Sequence, residues 1–112
     1  VSELYAEYQK EVRQVEIYEP PGRFGFISYI ITGATCHVAD AYLLPEYRGK
    51  NYSHEFWEEF KKIVKERGVN FLTAMVFIKS NVHPTHSLHA CLHHGFRVMG
   101  AEGNCIYLDM EI

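Results

Sequence analysis

The stretch best suited to chemistry is PEYRGKNYSHEF, residues 45–56. It follows a strand-like run and leads into an amphipathic one, with Arg48-Gly49-Lys50 between them. The first amides of a helix lack intrahelical partners and sit at the positive end of its dipole. A short basic loop feeding a helix is therefore suited to receive phosphate oxygens. Arg48 and Lys50 add positive charge beside the amides of Asn51, Tyr52 and Ser53. The competing reading is an ordinary strand-to-helix connection with surface cations. A second cluster is imidazole: His83, His86, His89, His93 and His94. His86, His89 and His93 recur at helical spacing on one face, which brings two or three ligands within reach of a zinc ion. No Cys-x-x-Cys or Glu-His signature accompanies them, so the preferred reading is a titratable surface helix with no metal.

The elements that must position these residues follow from patterning. Ser2 caps a first helix with Leu4, Tyr5, Tyr8, Val12 and Val15 at helical spacing. Strands are expected over Val15–Glu19, Phe24–Ile31 and Cys36–Leu43, separated by the turns Pro20-Pro21-Gly22-Arg23 and Thr32-Gly33-Ala34. Asn51–Arg67 is the clearest helix, with Phe56, Phe60, Ile63 and Val64 facing inward and Gly68 as its stop. Residues 71–78, FLTAMVFI, are apolar on both faces, as in a covered central strand. A helix fits Pro84–His94, closed by Gly95. A hairpin follows, Phe96–Met99, loop Gly100–Asn104 and Cys105–Ile112. The order α-β-β-β-α-β-α-β-β predicts an α+β fold with a mixed sheet and a parallel crossover through the helix at Asn51.

Composition bounds the reading further. The 112 residues suit one domain, 1–112. At 47% hydrophobic and 14% aromatic the chain is no disordered segment. A formal net charge of -3 gives no basic field for nucleic acid. No apolar run approaches the roughly 18 residues of a membrane span, and no signal-peptide pattern opens the chain. Cys36, Cys91 and Cys105 are an odd set without Cys-x-x-Cys spacing, which fits reduced thiols and a cytoplasmic location. The chain opens at Val1 without a Met, so upstream residues are an open question.

Strand, Pro-Glu-Tyr-Arg-Gly-Lys, then helix resembles motif A of the GCN5-related N-acetyltransferases, the GNAT superfamily. The motif Arg/Gln-x-x-Gly-x-Gly/Ala falls on Arg48-Gly49-Lys50-Asn51-Tyr52-Ser53. Asn51 and Ser53 stand where the family usually carries glycine. The likeness runs through nearly the whole chain, from the family's second helix onward, with its first strand and helix missing.

The resemblance implies acetyl-coenzyme A as co-substrate, its pyrophosphate on Arg48, Gly49, Lys50, Asn51, Tyr52 and Ser53. It also implies that the pantetheine arm pairs with the motif strand, through backbone contacts that fall on Leu43 and Leu44. Asp40, five residues before Pro45, stands where family members often carry an acidic residue, and is the candidate base. The alternative is an outward or backbone-bonded Asp40. Cys91 occupies the place of the family's tyrosine acid, four residues before Gly95-Phe96, and a small core residue is its other reading. The expected activity is direct acetyl transfer to a primary amine on a small molecule or a protein. The alternative is a catalytically inactive binding or structural module that kept the fold, as in compact domains resembling bacteriophage proteins. Aromatics on the first helix and last strand leave a homodimer open.

Overall fold

The structure is a computed structural model that describes residues 2–49, 51–77 and 84–112, with side chains given outside 84–87. Its elements appear in the expected order. Helix α1 is Glu3–Arg13; strands β1, β2 and β3 are Glu16–Tyr18, Gly25–Thr32 and Thr35–Leu43. A 3-10 turn at Pro45–Tyr47 leads to α2, Asn51–Glu66, and β4, Phe71–Phe77. Helix α3, Pro84–His93, precedes the hairpin β5–β6, Arg97–Glu102 and Cys105–Glu111. The hairpin is tighter than the sequence reading: β5 runs on through Gly100 to Glu102, and only Gly103 and Asn104 turn. Ile78 lies outside the described residues.

Six strands form one sheet in the order β1-β2-β3-β4-β6-β5. Among the described residues only β3 and β4 are parallel, as expected for strands joined through a helix. Alternation along each strand sends Ile27, Tyr29, Cys36, Val38, Leu72, Ala74, Val76, Leu108 and Met110 to one face. Helix α2 covers that face with Phe56, Trp57, Phe60 and Val64, all buried. Edge-on ring contacts tie it down, Tyr29 to Phe60 at 5.1 Å and Trp57 to Phe96 at 6.0 Å between centroids. Helix α3 adds Leu88 and Cys91 to the margin of this core.

The opposite face is less covered. On α1, Leu4, Tyr5, Tyr8 and Val12 are all exposed and the buried residue is Gln9. Gln9 Nε2 donates to the Tyr5 hydroxyl, while its Oε1 has no hydrogen-bond partner among the described residues. Helix α1 packs chiefly along β1 at the sheet edge. Phe71, Met75, Phe77 and Tyr107, on β4 and β6, are consequently each about two-fifths exposed. Among the described residues no helix is long and apolar enough to cross a membrane.

Candidate functional site

Strands β3 and β4 are in register from Thr35↔Phe71 to Val38↔Ala74 and then part, although β3 continues to Leu43 and β4 to Phe77. The cause lies on the other side of β3. Its register with β2 slips between Ser28 and Tyr29, which face Asp40 and Val38, leaving Ala39 as an extra residue. Such a bulge increases local twist and bends its strand. The far half of β3 swings from β4 and opens a cleft with a free strand edge on one wall.

The free edge can be assigned residue by residue. The Leu44 amide donates to the Phe24 carbonyl at 2.8 Å, so Leu44 points its backbone groups at β2. Antiparallel pairs alternate between bonded and unbonded. The pairs Gly25↔Leu43 and Ile27↔Ala41 are then the unbonded ones, and the N–H and C=O groups of Ala41 and Leu43 face the cleft. Gly25 permits the close approach here: a Cβ on it would stand 2.4 Å from the Tyr42 carbonyl oxygen.

Beyond β3 the chain turns into α2 through a braced loop. Tyr47 of the 3-10 turn stacks on Phe24 at 4.7 Å and meets Tyr52 of α2 edge-on at 5.0 Å. Gly49 has φ +67, a left-handed conformation that a side chain resists. The chain then enters α2 at Asn51, so the amides of its first turn follow directly on this loop. Lys50 lies outside the described residues.

Two motif side chains are engaged within the chain. Arg48 folds back, its Nε donating to the Leu43 carbonyl at 2.8 Å and its guanidinium 5.2 Å from the Tyr42 ring centroid. Ser53 Oγ lies 2.8 Å from His94 Nε2, and the His94 ring packs on Trp57 at 5.6 Å. The start of α2 is thereby tied to the end of α3. Burial, then the neighbouring His93, Lys61 and His54, push the His94 imidazole down to about 4, against a weaker pull from Glu58. It is neutral at pH 7.

Asp40 is exposed on the face away from α2 and accepts a hydrogen bond from the buried Ser28 hydroxyl at 3.2 Å. Cys91 is half-buried against the core, and burial pushes its thiol up, which keeps it protonated at neutral pH. His89 and His93 are exposed; the His86 side chain and His83 lie outside the described residues. Among the described residues no group of three or more His, Cys, Asp or Glu side chains stands close enough to hold a metal ion.

The structure thus gathers Leu43, Leu44, Arg48, Gly49, Asn51, Tyr52 and Ser53 at one end of the cleft and sets Asp40 at the bulge. Sequence reading missed Ala41, whose only signal was its period-two relation to Leu43. It missed His94 as a partner of Ser53, which no local pattern announces across 41 residues. It also missed His37, on the same strand face as Asp40, with Nδ1 2.9 Å from the Thr73 hydroxyl.

No family model matches the chain, and no curated protein matches it by sequence. Solved structures do match in shape. The PaiA N-acetyltransferase of Thermoplasma acidophilum, in complex with coenzyme A, aligns with all of this chain and 80% of its own, at 19% identity and TM-score 0.71. A GNAT family acetyltransferase from Elizabethkingia anophelis with acetyl-CoA bound aligns with 100% of this chain and 84% of its own, at 14% identity and TM-score 0.70. An IAA acetyltransferase from Bacillus cereus aligns with 99% of this chain and 85% of its own, at 15% identity and TM-score 0.68. At these identities the likeness is one of architecture: the chain has the acyl-CoA N-acyltransferase fold seen in GNAT structures.

Proposed function

We propose that the chain is a single-domain N-acetyltransferase, residues 1–112, that moves an acetyl group from acetyl-coenzyme A directly to a primary amine. The observation that carries this reading is the continuity of a free strand edge with the start of a helix. Ala41 and Leu43 offer backbone donors and acceptors to a pantetheine arm laid along β3, in the manner of an added strand. The same cleft ends on the amides of Asn51, Tyr52 and Ser53, which receive the pyrophosphate. The solved neighbours bound to coenzyme A or acetyl-CoA support the cofactor.

In this reading the arm draws the thioester toward the apex of the cleft, near the bulge. A cleft-facing amide of β3 hydrogen-bonds the carbonyl oxygen and stabilises the charge that develops on it. Asp40 meets the ammonium of the acceptor and is the candidate base; Cys91 is the candidate donor to the departing thiolate. A cytoplasmic location fits the reduced thiols, and exposed aromatics on α1 and β6 suit a homodimer.

The second reading, a non-catalytic module, is favoured by one observation. Arg48 and Ser53 already have partners, Leu43 and His94, so bound cofactor must compete with internal bonds for these two side chains. Calorimetry with acetyl-coenzyme A and with coenzyme A separates the two. The proposed function predicts micromolar binding, weakened at least about tenfold in the Arg48→Ala/Lys50→Ala variant, since each hydrogen bond to a charged group is worth roughly 1.5–3 kcal/mol. Arg48 is exposed, so the variant's melting temperature stays near that of the parent. Absence of heat at high cofactor concentration leaves the module reading.

A further inference from the structure

On the sheet face away from α2, the last polar contact before the strands part is His37 with Thr73. The pair occupies adjacent positions on β3 and β4, one residue before the final register pair Val38↔Ala74. Three residues on, past the bulge, Asp40 stands on the same face with Ser28. The His37 side chain is half-buried, and its Nδ1 is fixed 2.9 Å from Thr73 Oγ1. Asp109 of β6 stands directly across from Thr73 on this face, and it in turn is held by Arg97 Nε at 2.8 Å. A polar row therefore runs across three strands and ends on the cleft apex. Nothing in the core needs it: the neighbouring positions Cys36, Val38, Leu72 and Ala74 serve the core on the opposite face.

The geometry points to His37 as the proton acceptor for the amine that is acetylated, with Thr73 as the positioning residue that fixes its tautomer. This rests on the acetyltransferase reading above but moves the base from Asp40 to His37, leaving Asp40 to meet the ammonium. In this arrangement Nδ1–H donates to Thr73 Oγ1 and Nε2 keeps a free lone pair. The acceptor arrives as an ammonium and is met by the Asp40 carboxylate. One N–H bond breaks and Nε2–H forms, leaving a neutral amine and an imidazolium. The amine attacks the thioester carbonyl carbon, the C–N bond forms and the carbonyl electrons move to oxygen. Collapse breaks the C–S bond, the Cys91 thiol protonates the departing thiolate and takes up the second amine proton in turn, and His37 returns the first to water.

Burial pushes the His37 imidazole below its ordinary value, which keeps it neutral at pH 7. The groups around it explain why burial prevails. Strand β2 presents Ile30 and Ser28, β4 presents Thr73, and the charges on the face are Asp40 on its own strand, Glu111, Glu102 and the Asp109–Arg97 pair. A carboxylate in water is a weak base at neutral pH, whereas a neutral imidazole is matched to it.

The test compares two nucleophiles with acetyl-coenzyme A: benzylamine, an ammonium at pH 7, and hydroxylamine, largely neutral there. In His37→Gln the benzylamine rate is expected to fall about 100-fold, within the range for a lost general base, and at least tenfold further than the hydroxylamine rate. The acid limb of the benzylamine kcat/KM profile, set below pH 6.5 by His37, disappears in the variant. In Thr73→Val the limb shifts while hydroxylamine turnover is less affected than benzylamine turnover. Nitrogen-15 spectra of the unliganded protein give a readout that needs no turnover: the His37 proton sits on Nδ1 at pH 7. Equal losses with both nucleophiles, or a proton on Nε2, overturn the proposal and leave the proposed function standing. A parent protein that binds acetyl-coenzyme A but acetylates neither nucleophile overturns both.

Discussion

Strand β3 is two strands in one. From Thr35 to Val38 it is paired on both edges, and Cys36 and Val38 are buried beneath α2. From Ala39 to Leu43 it is paired only with β2, and all but Leu43 are exposed. The same chain thus supplies packing at one end and, at the other, backbone groups that no neighbouring strand pairs, with one inserted residue, Ala39, as the divide. Stability resides in the first half, whose side chains fill the buried core. Binding resides in the second half, where the useful atoms are main-chain N–H and C=O groups that belong to no side chain.

The largest expected effect is in the paired half. Leu72 is fully buried on β4 opposite Cys36, and Leu72→Ala should cost about 2–5 kcal/mol through lost contacts and a residual cavity. Urea denaturation measures the loss. The division of labour requires that acetyl-coenzyme A affinity, measured at low temperature on folded protein, stay within about twofold of the parent. A large loss of affinity there would show that the two halves are not separable.

Gly25→Ala strikes the open half instead. Its new Cβ meets the Tyr42 carbonyl oxygen at 2.4 Å and the Leu43 Cδ2 at 2.7 Å, so the backbone of the free edge has to move. Overpacking of this kind costs about 1–3 kcal/mol, less than the Leu72 cavity. The distinguishing outcome is in binding: coenzyme A affinity should fall by more than the change in stability accounts for, because Ala41 and Leu43 no longer hold their places. A variant that is destabilised yet binds coenzyme A normally would move the pantetheine arm off this edge.

The two halves were unequally legible in the sequence. The paired half was visible because burial imprints side-chain type: FGFISYII and FLTAMVFI read as strands, although FLTAMVFI, expected to be covered on both faces, leaves Phe71, Met75 and Phe77 about two-fifths exposed on one. The element order and the basic loop before α2 could be read for the same reason, from periodicity and from Gly49 at a turn. The bulge at Ala39 carried no signal, since alanine suits either register, and without the bulge the free edge cannot be placed. Helix α1 was legible as a helix, but no sequence pattern says that Gln9, and not Leu4 or Tyr8, is its buried residue. Contacts such as Ser53 with His94 and His37 with Thr73 depend on which elements become neighbours, and they follow only once the sheet order is known.

The smallest expected effect concerns the other wall of the cleft, where the start of α2 is tied to α3. His94 titrates at about 4 in the folded chain, against 6.5 for an unperturbed imidazole. Between those values the unfolded chain binds more protons than the folded one, so stability rises with pH across this window. The contribution is fully present above about pH 6.5 and is lost as the pH falls toward 4. His94→Phe keeps a ring on Trp57 and removes the titration, so its urea midpoint should change less between pH 6.5 and 4 than that of the parent. A residual slope persists, because burial depresses His37 in the same direction. If the tie also holds the cofactor loop, coenzyme A affinity in the parent drops over the same window and does so less in His94→Phe. A parent whose affinity is flat while its stability falls would assign Ser53–His94 to packing alone and leave the loop held by Phe24, Tyr47 and Tyr52.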